Sequence, residues 1–142
     1  MSSIDGIFKA LNKAKVKYVL IGGLASVLHG APRTTVDIDI AVEPRKKNLE
    51  ALIKALVIAG LDPETDNIDD ILGQGGVTFT NDRTIDVLTS TKGIGFSDIR
   101  KRKETVKYKG VLIPIISKKD QITMLKAVGR EEDLKDIEFL TE

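Results

Sequence analysis

The sequence contains no cysteine among its 142 residues and only one histidine. The lack of cysteine excludes disulfide bonds and thiolate metal sites, so carboxylates are the ligands that a metal ion would find here. Lys and Arg number 22 against 21 Asp and Glu, so no excess of one charge demands a nucleic acid or a membrane surface. No apolar run approaches the roughly 18 residues of a membrane span, and the N-terminus lacks a signal-peptide core. We expect a cytoplasmic protein without membrane association, and nucleic-acid binding is left open.

The chain has the length of one ordinary domain and can bury a real core. It shows no repeat or linker, so we predict a single α/β (α+β) domain over residues 1–142, with two appended C-terminal helices at about 118–140. The predicted helices cover residues 3–15, 24–28, 45–59, 96–102, 118–128 and 131–140. The predicted strands cover residues 16–21, 35–42, 77–80, 84–89, 104–108 and 111–116, and residues 62–76 are predicted to form an ordered loop.

The most informative stretch runs from Val16 to Val42 and reads as strand, glycine turn, short helix, basic loop and strand. The first strand ends abruptly at Gly22-Gly23, a strand-to-turn signal. In the second strand, apolar residues alternate with Asp37 and Asp39, which places both carboxylates on one face. Two such carboxylates suit one or two hard divalent cations that take oxygen ligands.

A third carboxylate, Asp86, lies between two β-branched residues in the later strand TIDVL. Taken alone, an acid in this position faces solvent. Combined with the glycine turn, which lets a phosphate approach the backbone, and with the planar fork of Arg33, it suggests a phosphoryl- or nucleotidyl-transfer site. Each part is common, and their order carries the information.

That order resembles the nucleotidyltransferase superfamily that includes DNA polymerase β. The resemblance rests on Gly22-Gly23, thirteen intervening residues, Asp37-Ile38-Asp39 and a later Asp86. Small prokaryotic members of the lincosamide-resistance and abortive-infection toxin type often carry the string that appears here as GGLASVLHGAPRTTVDID. The tail LKAVGREEDLKDIEFL also looks like their closing helices. Many relatives have Ser after the first Gly, whereas Gly23 offers only its backbone amide.

The resemblance implies a minimal nucleotidyltransferase fold, with a mixed sheet of about five strands and helices packed mainly on one face. It implies one or two Mg²⁺ ions held by Asp37, Asp39 and Asp86. It also implies transfer of a nucleoside monophosphate from an NTP, with ATP the expected substrate, to a hydroxyl of a small molecule, a protein or an RNA end. Asp86 is then the base for that hydroxyl.

The same resemblance assigns the nucleotide contacts. Gly22 and Gly23 present amides to the triphosphate, and Arg33 and Thr34 line its entry. Two residues of the closing helices, Lys126 and Arg130, approach the phosphates.

Simpler interpretations compete with several of these roles. Arg33 can equally form a surface salt bridge. For the only histidine, His29, packing or capping is favoured over catalysis. Lys126 and Arg130 read as solvated helix residues when taken without the family.

Three functional classes follow from the sequence. The first is an active nucleotidyltransferase, the second a catalytically silent relative such as one half of a toxin–antitoxin pair, and the third an unrelated metal- or phosphate-binding module. Only about 25 residues follow the last predicted strand. We therefore expect a shallow acceptor site, or one completed by a second copy of the chain or by a small helical protein partner.

Overall fold

The computed structural model describes residues 3–141. Within them, the helices are α1 (Ile4–Lys13), α2 (Gly22–Leu28), α3 (Lys46–Ile58), α4 (Ile68–Gln74), α5 (Phe96–Lys101), α6 (Lys118–Val128) and α7 (Glu131–Leu140). The strands are β1 (Tyr18–Ile21), β2 (Ile38–Val42), β3 (Asp62–Pro63), β4 (Gly76–Thr80), β5 (Thr84–Leu88), β6 (Glu104–Tyr108) and β7 (Val111–Ile115).

The strands form one mixed sheet in the order β3-β4-β5-β2-β1-β7-β6. Strand β2 pairs in parallel with β5, and β1 pairs in parallel with β7. The remaining neighbours are antiparallel. The order places β2, which follows the glycine turn, directly beside β5, which comes more than 40 residues later in the chain.

Local sequence signals explain where several helices begin and end. Ser3 and Ser117 accept hydrogen bonds from backbone N–H groups in the first turns of α1 and α6, as N-cap residues do. Asn67 caps α4 in the same way. Gly75 and Gly129 end α4 and α6 in the left-handed conformation that glycine adopts without steric cost.

The core lies between the sheet and the packed helices. All four residues of β1 are buried, so both faces of this central strand are covered. On one face, the rings of Phe8 from α1 and Tyr18 from β1 stack with centroids 5.9 Å apart. The Tyr18 hydroxyl donates to the Asn12 side-chain oxygen at 2.8 Å, so its buried polar atom is satisfied.

The mixed α/β class is confirmed, with two corrections. The sheet has seven strands rather than about five, because the short β3 adds an edge and β6–β7 join the same sheet. The predicted loop over residues 62–76 contains β3 and α4, whose seven residues bury only Ile71 and so carry little periodic signal. Residues 1, 2 and 142 of the predicted single domain lie outside the described part of the chain.

We expect Phe8→Ala to lower the free energy of unfolding by about 3–5 kcal/mol, because it leaves a cavity beneath Tyr18. Urea denaturation measures this change. As a control, Ile58→Ala removes a side chain that is 76% exposed at the end of α3 and should change stability by less than about 0.5 kcal/mol. Equal losses in the two variants would contradict the described packing of α1 on the sheet.

Candidate active site

Two of the predicted acidic residues lie side by side on neighbouring strands. Asp39 of β2 is in register with Asp86 of β5, and on its other side with Ile21 of β1. Asp86 is in turn in register with Thr78 of β4. In-register residues on adjacent strands, which lie about 4.8 Å apart, project to the same face. The sheet therefore brings Asp39 and Asp86 together across one strand-to-strand step.

Both carboxylates line a cavity of about 640 Å³, a volume in the range of small-molecule sites. Gly22 and Arg130 lie on its lining with them. A stripe of α6 with helical spacing also lines the cavity. This stripe consists of Gln121, Met124, Leu125 and Val128. The cavity thus joins an acidic end at the sheet to an apolar wall at α6.

A threonine on β4 fixes the orientation of Asp86. Thr78 Oγ1 donates a hydrogen bond to Asp86 Oδ1 at 2.7 Å. This hydrogen bond engages Oδ1 and fixes the plane of the carboxylate. Thr78 also lines the cavity.

The environment of Asp39 favours its protonated form. Its pKa is raised from 3.8 to about 7, chiefly because burial disfavours the charge. The charge of Asp86, a hydrogen bond with Asp86 and the charge of Asp37 raise the pKa further, and Arg130 opposes them. Close carboxylates that hold a proton between them have the donor set to accept a cation in its place.

The glycine turn lies directly against this pair. Gly22 has a φ of +72°, and a Cβ at this position would overlap the Asp39 carboxylate. Both the left-handed backbone and the lack of space for a Cβ therefore require glycine at position 22. From α6, Gln121 Nε2 donates to the Gly22 carbonyl at 2.8 Å and to Ser26 Oγ at 3.0 Å. The turn is thus held by a side chain from the C-terminal part of the chain.

Arg33 forms a bidentate ion pair. Its Nε donates to Asp136 Oδ1 at 2.9 Å and its Nη2 donates to Asp136 Oδ2 at 2.7 Å. Arg130 is held similarly by Asp133, with Nε donating to Oδ2 at 2.9 Å. The salt bridge considered for Arg33 is therefore present, although its partner on α7 is buried rather than on the surface.

The other predicted residues lie farther out. Asp37 precedes β2 and is exposed, yet its charge reaches Asp39. Thr34 and Lys126 are exposed, and among the described residues they are not part of the cavity lining. His29 Nε2 lies 2.7 Å from the Ile116 carbonyl oxygen, consistent with the packing role favoured for it.

The donor set fits a magnesium ion shared with a substrate. Across residues 3–141, no group of three or more acidic or histidine side chains is gathered tightly enough to hold a metal ion. Mg²⁺ is commonly bound by only one or two carboxylates, with substrate phosphates and water completing its shell. Asp39 and Asp86 supply such a pair, whereas Asp37, two positions before Asp39, lies off the cavity lining of the described residues.

Comparison with protein families decides the class. Residues 8–124 match the family described as nucleotidyl transferase AbiEii toxin, Type IV TA system. The chain belongs to this family. It is therefore a nucleotidyltransferase, as the resemblance in its sequence predicted, and enzymes of this class transfer a nucleoside monophosphate from an NTP with a divalent metal.

Solved structures share the fold of this AbiEii-family protein. The lincosamide antibiotic adenylyltransferase LnuA, in its lincomycin-bound crystal structure, is 21% identical with a TM-score of 0.67, over 99% of this chain and 97% of that one. A protein assigned as a nucleotidyltransferase from Thermotoga maritima is 18% identical with a TM-score of 0.65, over 95% of this chain and 88% of that one. Among curated protein sequences, none matches.

No helix within residues 3–141 of this AbiEii-family protein is both long and apolar enough to cross a membrane. This agrees with the absence of an apolar run in the sequence.

Four residues of the site that contact predicted residues were not themselves predicted from the sequence. Thr78, Gln121, Asp133 and Asp136 contact Asp86, Gly22, Arg130 and Arg33 respectively. The strand alternation that selected Asp86 also applies to Thr78, which could have been found had the β4–β5 register been assigned. Gln121 and Asp136 act across about 100 residues, and no local pattern marks such contacts.

The raised pKa of Asp39 predicts that stability falls with pH when no metal is present. Between pH 4 and 7 the folded state binds more protons than the unfolded state, so the free energy of unfolding decreases as pH rises and levels off above pH 7. Asp39→Asn removes this decrease, and at pH 8 we expect it to be more stable than the wild type by up to about 4 kcal/mol. Denaturation in EDTA at pH 4 to 8 measures the difference.

Asp66→Asn, which replaces an exposed loop carboxylate, is the control and should follow the wild-type curve. Mg²⁺ should stabilise the wild type at pH 8 more than it stabilises Asp39→Asn. If the free energy of unfolding changes with pH in the same way in wild type and Asp39→Asn, the environment described for Asp39 is contradicted.

Proposed function

We propose that the protein is a Mg²⁺-dependent nucleotidyltransferase that moves a nucleoside monophosphate from an NTP, with ATP the expected donor, to an acceptor hydroxyl. The observation that carries this proposal is the register of Asp39 and Asp86, which aims two carboxylates into one cavity beside Gly22. Membership of a nucleotidyltransferase family supports it.

In this proposal, Asp39 and Asp86 hold one or two Mg²⁺ ions together with Asp37. A bound ion supplies charge neutralisation for the triphosphate and for the departing pyrophosphate. The raised pKa of Asp39 is consistent with this role, because a cation would replace the proton that the free protein holds there.

The phosphates have several candidate contacts. Gly22 and Gly23 offer backbone amides without side chains that would block a phosphate. Arg130 lines the cavity and its charge reaches Asp39, so it can balance a triphosphate at the same end. Thr34 and Lys126 are proposed only as outer contacts, because both are exposed and lie off the cavity lining of the described residues.

The chemistry assigned to Asp86 is proton removal. An acceptor oxygen forms a bond to the α-phosphorus, the bond between that phosphorus and the bridging oxygen of the pyrophosphate breaks, and the hydroxyl proton passes to Asp86. Thr78 donates to Oδ1 of Asp86 and so fixes the orientation of the carboxylate for this step. The acceptor is proposed to approach along Gly76 and Leu88, which line the cavity and are in register on β4 and β5.

The family description supports one further assignment, that the protein is the toxin of a pair with an antitoxin partner. A small helical protein or a second copy of the chain would then complete the acceptor site. The acceptor itself is a small molecule, a protein or an RNA end.

We expect Asp86→Asn to lower nucleotidyl transfer about 100-fold or more, because the variant lacks the base. It should still bind Mg²⁺–ATP, although less tightly than the wild type, because the Asp37 and Asp39 carboxylates are retained. The assay follows α-labelled NTPs, each with Mg²⁺, into acceptors in a lysate from the source of the protein. Calorimetry measures the binding of Mg²⁺–ATP.

The matched control is Asp98→Asn, which changes an exposed carboxylate on α5 outside the cavity lining of the described residues and should leave both values unchanged. If wild-type protein binds Mg²⁺–ATP but labels no acceptor, the silent-relative interpretation is favoured. Transfer that is equal in wild type and Asp86→Asn would overturn the role of Asp86.

A further inference from the structure

The Arg33–Asp136 pair joins two segments that lie 103 positions apart. Arg33 is in the loop between α2 and β2, and Asp136 is in the middle of α7. The Asp136 side chain is only 4% exposed, whereas that of Arg33 is 33% exposed. The pair therefore has a buried anchor on the helix and an accessible guanidinium on the loop.

The contact uses only one edge of the guanidinium. Arginine has five N–H donors, and Asp136 accepts one from Nε and one from Nη2. The two N–H groups of Nη1 and the second one of Nη2 are not used by Asp136. This leaves a second planar fork, of the shape that binds phosphate oxygens in a bidentate manner.

That second edge lies against the glycine turn. Arg33 Nη2 and Nη1 are 3.1 Å and 3.4 Å from the point where a Cβ of Gly23 would stand. Gly23 has no left-handed φ, so its backbone conformation does not require glycine. The missing side chain instead makes room for the guanidinium.

We infer that Asp136 is a positioning residue, which holds Arg33 by its Nε–Nη2 edge so that the adjacent Nη1–Nη2 edge stands beside Gly23 to receive the triphosphate. This inference rests on the proposed function. In this role, Asp136 contacts no substrate atom and acts only through Arg33. Helix α7 thereby contributes to the phosphate site through Arg33, although Asp136 itself does not contact the phosphates.

The chain contains a matched pair that serves as a control. Arg102 Nε donates to Asp120 Oδ2 at 3.0 Å and its Nη2 donates to Asp120 Oδ1 at 3.1 Å. Asp120 is 3% exposed, so it is as buried as Asp136. Within the described residues, none of the four side chains of the two pairs lines the cavity, but of the four only Arg33 is among the groups nearest to the Gly23 Cβ position. Loss of this pair reports the structural cost of breaking a buried Arg–Asp contact.

The test is calorimetric binding of Mg²⁺–tripolyphosphate, which carries the phosphates but has no nucleoside to transfer. We expect Asp136→Asn and Arg33→Lys each to raise the Kd about tenfold, because both lose the bidentate geometry, and Arg33→Lys keeps the positive charge. The double variant with both substitutions should have a Kd no higher than that of the single variant that binds less tightly, because both substitutions remove the same contact. Asp120→Asn should lower the melting temperature by a similar amount and change the Kd less than twofold.

Gly23→Ala supplies an independent variant, because it displaces the guanidinium while both charged partners stay in place. It should weaken binding in the wild-type background and add nothing in an Arg33→Ala background. In the transfer assay, Asp136→Asn should raise KM for the NTP and leave kcat within about a factor of three, since Asp136 contacts no reacting atom.

The inference is overturned if Asp136→Asn lowers the melting temperature but binds Mg²⁺–tripolyphosphate as the wild type does. It is also overturned if Asp120→Asn weakens binding equally. Wild-type protein that binds tripolyphosphate with the expected Asp136 dependence, yet transfers no nucleotide, supports the inference and contradicts the proposed function. Failure of the role inferred for Asp136 is therefore distinguishable from failure of the proposed nucleotidyl transfer.

Discussion

The parallel pairing of β2 with β5 is the constraint on which the site depends. It sets Asp39 beside Asp86 at one strand spacing, where burial and like charge together raise the pKa of Asp39 to about 7. Folding by itself gains nothing from two carboxylates in this arrangement. A cation that carries phosphates would relieve their repulsion, so a contact that is unfavourable in the free protein would become a binding contact in the complex.

Elements from distant parts of the sequence hold the surroundings of this pair in place. Gln121 of α6 fixes the carbonyl of Gly22, and Asp136 of α7 fixes Arg33. The C-terminal helices thus act on the glycine turn from two sides. Helix α6 also lines the cavity of about 640 Å³ with Met124 and Leu125, so it contributes both to the turn and to the wall of the site.

The sequence predicted the parts that have a local cause. The glycine turn, the alternating acids and the long amphipathic helices follow from spacing and periodicity, and their order indicated the family. The sequence did not predict α4 in the stretch 62–76, because a two-turn helix with one buried residue has almost no periodic signal. Contacts such as Thr78–Asp86 and Arg33–Asp136 depend on strand register and on helix docking, which are set by the packed core.

The most direct test of a cation site between Asp39 and Asp86 is a crystal structure with Mn²⁺ in place of Mg²⁺ and a non-hydrolysable NTP analogue, read by anomalous scattering. We predict a manganese peak about 2.0–2.5 Å from one oxygen of each of the two carboxylates, with the analogue's phosphates completing its shell. A complex whose analogue lies in the cavity while no peak touches Asp39 and Asp86, or whose manganese binds elsewhere, would contradict the site.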